Sequence, residues 1–136
     1  MKKILASLPV LLLCGFAWGE QPPASPAPDD PPETVMATFR AAPGKEDQLE
    51  KVIRRHWATV RRLGLVSGDL HLLFRSEDEP GKAMFVHIFT WKSHSVPDDA
   101  PPEVEKIWDE MTPLVEKRGG HRGIEFPEMK PIPLTE

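Results

Sequence analysis

The stretch MFVHIFTW, Met84 to Trp91, reads as a buried strand except for the imidazole of His87 at its centre, and a second imidazole, His71, stands upstream in DLHLLF. Imidazole titrates near neutral pH, so two such groups close together could relay a proton, act as a general base or share a metal. For a metal the pair lacks an evident third ligand, so no metal and no cofactor are expected. Around the pair stand further groups able to hold a ligand: His56 and Trp57 in RRHWAT, Arg75, Phe85, Phe89, Trp91 and Trp108. Aromatic faces with a few cationic or imidazole groups are what a small-molecule pocket uses. Trp57 and Trp108 sit on the apolar stripes of their helices, where a core role competes. His94 and His121 fall in loop sequence and read as solvated.

These groups are carried by a regular alternation of elements. TVMATFRA (34–41) alternates as a strand does, and Pro43-Gly44 breaks it. KEDQLEKVIRRHWATVRRLG spaces Leu49, Val52, Ile53, Trp57, Val60 and Leu63 three or four apart, acidic at its start and stopped by Gly64, which predicts an amphipathic helix. DLHLLFRS (69–76) and AMFVHIFTW (83–91) flank the breaker segment EDEPGK and predict a hairpin. A second helix runs from Val104 through VEKIWDEMTPLVEKRGG, bent at Pro113 and ended by Gly119-Gly120, and GIEFPEMKPI gives a short last strand whose Pro127 suits an edge. Strand, helix, strand, strand, helix, strand is the ferredoxin-like α+β order, an antiparallel sheet with two helices on one face. The uncovered face then calls for a partner, and a homodimer is expected.

Alternation divides each strand into two faces. Val35, Ala37, Phe39, Leu70, Leu72, Phe74, Met84, Val86 and Ile88 carry no charge and are expected beneath the helices. Met36, Thr38, Arg40, His71, Leu73, Arg75, Phe85, His87, Phe89 and Trp91 form the opposite set, expected to face a ligand or the partner, with His56 across the sheet. A hairpin centred near Glu79 sets His71 opposite His87, with Cβ atoms ~5 Å apart; one residue pair further on makes them diagonal neighbours at roughly 7 Å.

The ends of the chain and its charge bound the setting. MKKILASLPVLLLCGFAWGE has two lysines, an apolar run too short for a membrane span and small residues at Ala17 and Gly19, so residues 1–19 read as an export signal and the mature protein as periplasmic or secreted. Acylation at Cys14 fits less well, because Leu13 precedes it where a small residue is usual. Residues 20–33, crowded with prolines, form an extended spacer, and residues 34–136 one domain. The whole chain carries a net charge of −4, and loss of Lys2 and Lys3 makes it more acidic, which argues against nucleic acid. The single cysteine leaves with the signal, removing thiol chemistry and disulfides.

From Thr34 to Ile132 the chain resembles the dimeric α/β-barrel superfamily, and within it the antibiotic biosynthesis monooxygenase-like domains. The resemblance rests on the element order, on a third strand closing at an aromatic in FTWKS, and on the second-helix sequence PPEVEKIWDEMTPLVEKRGG. It implies two sheets paired face to face, a pocket between each sheet and its helices, and a role for Trp91 as the aromatic ending the third strand. Some members of the group are cofactor-independent oxygenases of aromatic polyketides and some degrade haem. The asparagine and the second-helix histidine of the haem degraders have no counterpart here, and the chain has no tyrosine, a proton donor in some oxygenases. Three functions follow as expectations: an exported dimer binding a small apolar or aromatic molecule; a metal-free monooxygenase with His87 or His71 as base; or a structural envelope protein.

Overall fold

The structure, a computed structural model, describes residues 30–68 and 71–134. Residues 1–19, read as an export signal, with Cys14 among them, and most of the proline-rich segment lie outside the described residues.

Strands β1 (Glu33–Arg40), β2 (Leu72–Glu79) and β3 (Lys82–Trp91), helices α1 (Glu46–Arg62) and α2 (Pro102–Met111), and the two-residue strands β4 (Ile124–Glu125) and β5 (Glu128–Met129) follow the expected order. The antiparallel sheet runs β2-β3-β1-β4, with β5 also on β1. This is the ferredoxin-like arrangement, both helices covering one face.

Local chemistry accounts for the element ends. Glu46 and Asp47 in the first turn of α1 and Arg61 and Arg62 in its last complement the helix dipole. Pro80-Gly81 makes the tight turn between β2 and β3, and Gly81 adopts φ +74°, a conformation costly for any residue with a Cβ. The second helix is shorter than its sequence predicts. It does not bend at Pro113 and continue; it tightens to a 3₁₀ turn at Thr112–Leu114 and becomes extended at Val115. Proline lacks the amide hydrogen that the next turn requires, and no later residue recovers the helix. Pro127 likewise divides the last strand in two, although its carbonyl still accepts the Met36 amide at 3.3 Å.

Pairing register corrects the assignment of faces. Val35 lies opposite Phe89, Ala37 opposite His87, and Leu73 also opposite His87. The side chains beneath the helices are therefore Val35, Ala37 and Phe39 with Leu73, Phe85, His87, Phe89 and Trp91. The opposite face carries Met36, Thr38 and Arg40 with Leu72, Phe74, Met84, Val86 and Ile88, of which Leu72 and Phe74 are 41% and 49% exposed. Absence of charge does not identify the inner face when both faces are largely apolar. His56 consequently lies on the same side of the sheet as His71 and His87, not across it.

Leu49 and Ile53 of α1, and Ile107 and Met111 of α2, close over Phe39 and Phe85. Each such side chain contributes roughly 2 kcal/mol by leaving water. The margin of this core is sealed by a lattice of charges. Arg118 donates to the Ala41 and Ala83 carbonyls at 2.8 and 2.6 Å and to Asp78 Oδ1 at 2.8 Å, while Arg40 donates to Asp78 Oδ2 and Glu125 Oε2, each at 3.0 Å. Asp78 reaches both guanidiniums from an irregularity in β2 between Glu77 and Glu79, and the hydrogen bond from Arg118 holds its carboxyl below the usual carboxylate range.

Candidate functional site

A cavity of about 710 Å³ opens between the sheet and α2. Strand alternation delivers Val35 and Ala37 from β1 and Phe89 and Trp91 from β3 to its floor, α1 contributes His56, and α2 contributes Trp108. Phe126, left 68% exposed where Pro127 interrupts the last strand, stands at its edge. Phe89 and Trp91 meet edge to face at 4.9 Å between ring centres, and Trp91 and Trp108 at 6.4 Å.

His56 is the polar group embedded in this wall, 5% exposed. Trp108 Nε1 donates to His56 Nε2 at 3.0 Å. Because an indole N–H can only donate, Nε2 must carry the lone pair and the neutral ring must carry its proton on Nδ1. Burial favours this neutral form and pushes the His56 pKa down to about 4. At neutral pH the ring therefore offers an N–H donor and is not set up to accept a proton.

His71 and His87 form a separate pair towards the β2 edge. Their register is diagonal, Leu73 facing His87, and His71 Nδ1 lies 2.9 Å from His87 Nε2. Trp57 stacks on His71 at 4.0 Å between ring centres and meets His87 edge-on at 5.6 Å. His87 is fully buried, and its Nδ1 has no hydrogen-bond partner. Burial, then the charges of His71 and His56, push its pKa down to about 3. Burial also lowers the pKa of the more accessible His71, with the Arg61 and Arg54 guanidiniums adding to the effect. His87 thus faces neither the cavity nor the open sheet face, where it was expected; it sits beneath α1.

Of the residues singled out by type, the cavity brings together His56, Phe89, Trp91 and Trp108. Phe85 belongs to the packed core, and Trp57 joins the histidine pair. Arg75 is exposed at the sheet edge, 3.7 and 3.8 Å from Asp47 and Glu50. Sequence reasoning missed the mouth: Glu33, Asp98, Asp109 and Glu128 come from four separate segments, and only tertiary contact assembles them. Among the described residues no three metal-ligating side chains converge, and no helix is long and apolar enough to cross a membrane.

No protein-family model matches the chain, and no curated protein is similar to it. Solved structures do share its fold. A variant of SnoaB, a cofactor-independent oxygenase from Streptomyces nogalater, superposes with a TM-score of 0.57 at 19% identity, over 77% of this chain and 98% of that one. Rv0793 from Mycobacterium tuberculosis gives 0.54 at 15% identity, over 77% and 99%. A candidate antibiotic biosynthesis monooxygenase from Caulobacter crescentus gives 0.54 at 18% identity, over 76% and 92%. At these identities the likeness is one of fold, and it is the fold that the resemblance in sequence implied.

Proposed function

We propose that the protein binds a small, largely apolar or aromatic molecule carrying a hydrogen-bond acceptor, in the cavity between its sheet and α2. The observation that carries this reading is the buried His56 in an aromatic wall, its tautomer set by Trp108 so that an N–H donor remains for a ligand. The cavity volume, about 710 Å³, lies within the range of small-molecule sites. A homodimer belongs to the same proposal, its support being the exposed Leu72 and Phe74 on the open sheet face. So does export by residues 1–19, which the composition of the leader supports.

Filling the cavity tests the binding. With N-phenyl-1-naphthylamine as probe, the wild-type protein should show saturable fluorescence enhancement at one site per chain. Ala37→Leu, which projects new bulk from the floor, should weaken it about tenfold, ~1.4 kcal/mol. Enhancement that never saturates, or that ignores the substitution, would rule the cavity out as the site.

The likeness to a cofactor-independent oxygenase favours a second reading, a monooxygenase acting on an activated phenol. The expected bases, His87 and His71, do not line the cavity, so this reading requires them to act from outside it or His56 Nδ1–H to stabilise a developing oxyanion. Oxygen uptake with a tricyclic phenol decides it. Uptake abolished by His56→Leu supports the oxyanion role, uptake abolished by His87→Leu supports the base, and no uptake above the uncatalysed rate removes the reading.

A further inference from the structure

The cavity is polarised in a way that its apolar walls do not explain. Glu33, Asp98, Asp109 and Glu128 line it, with no lysine or arginine among the lining residues. Asp98, Asp109 and Glu128 are exposed, and none has an ion-pair partner within 4.0 Å among the described residues, whereas Glu33 of the same lining has His94. Glu33 Oε2 is sealed from solvent and accepts no hydrogen bond; His94 Nδ1 lies 2.8 Å away but is not aligned to donate to it. His56 lines the same cavity, 5% exposed, with Nε2 taken by Trp108 and Nδ1 making no hydrogen bond among the described residues. Carboxylates and a lone N–H donor in one largely apolar cavity are complementary to a ligand that carries both a cationic group and an acceptor.

We propose that the ligand of this cavity is a cationic amphiphile, an amine or quaternary ammonium compound whose aromatic or apolar body carries the acceptor that meets His56. This rests on the binding proposal above and adds the charge. The ammonium would lie among the mouth carboxylates, where the faces of Trp91 and Trp108 add the attraction of an aromatic quadrupole for a cation. An anion would meet the like charge of Asp98, Asp109 and Glu128, and the acidic chain as a whole favours approach of a cation. Asp98, Asp109 and Glu128 are exposed, so their contribution is moderate and sensitive to salt.

Calorimetric titration with three naphthyl probes of one shape tests this: 1-naphthylmethylamine, 1-naphthalenemethanol and 1-naphthaleneacetate. At low salt the ammonium should bind about tenfold more tightly than the alcohol, and the carboxylate weakest. The preference should shrink in ~0.3 M salt, where the screening length is well under 10 Å. In the triple variant Asp98→Asn, Asp109→Asn, Glu128→Gln, whose changes are all at exposed positions, the ammonium should fall to the affinity of the alcohol. Equal binding of the three probes, or tighter binding of the acetate, overturns the cationic ligand while leaving the cavity as a binding site. If no probe binds, both proposals fall.

Discussion

At one end of the helix–sheet interface Leu49, Ile53, Phe85 and Ile107 interlock, and the charges at the margin are paired: Arg40 and Arg118 satisfy Asp78, Glu125, Glu116 and three backbone carbonyls. At the other end Val35, Val60, Phe89, Trp91 and Val104 are accompanied by half-buried Trp57 and Trp108, two imidazoles are kept neutral, one ring nitrogen is buried without a partner, and a cavity remains. The contrast is one of satisfied against unsatisfied groups. Burying polar atoms without partners costs stability, so they persist where the rest of the fold supplies it. Here the paired end stabilises the domain, and the imperfect end is free to meet a ligand.

Breaking the paired end should have the largest effect. Arg118→Ala strands the Ala41 carbonyl, leaves the Ala83 carbonyl with the Ala41 amide alone and Asp78 with Arg40 alone, and should cost about 3 kcal/mol in urea unfolding. A loss under ~1 kcal/mol would mean that the lattice is surface decoration and that the contrast is false.

Acid should act on the other end. His56 and His87 stay neutral in the folded chain down to about pH 4 and about pH 3, whereas a histidine in the unfolded chain takes up a proton near pH 6.5. Between these values the unfolded chain binds more protons, so the stability they contribute is complete above about pH 6.5 and is lost as pH falls. For His56 the loss at pH 4.5 is about 2–3 kcal/mol. Urea midpoints at pH 7 and pH 4.5 should therefore diverge more for the wild type than for His56→Leu. An equal drop in both proteins would place the acid sensitivity in the carboxylates.

The smallest effect is expected at the histidine pair. His71→Ala removes the 2.9 Å contact to His87 and the ring stacked on Trp57, a loss of about 1 kcal/mol that altered tryptophan emission should accompany. Emission identical to wild type would show that the stack does not hold in solution.

Element order, the amphipathic faces of both helices and the hairpin were legible from spacing alone, because periodicity and turn chemistry are properties of contiguous residues. The inward direction of Val35, Ala37 and Phe39 was legible too. That of His87 was not, since Met84, Val86 and Ile88 are as apolar as Phe85 and Phe89, and only the pairing of Ala37 with His87 selects the inner set. The end of α2 was misjudged because a proline can either kink a helix or stop it, and packing chose the stop.

By itself, then, the chain determined which segments are strand or helix and that an aromatic and imidazole set would share one surface. Three matters were left to the tertiary structure: which surface that is, that His56 joins the cavity while His71 and His87 pair away from it, and that four carboxylates from separate segments converge on one mouth. The physical reason is range. A period of two or of 3.6 is written within a few residues, whereas register, burial and the meeting of β1, α1, α2 and the loop after β3 depend on contacts between residues far apart in sequence.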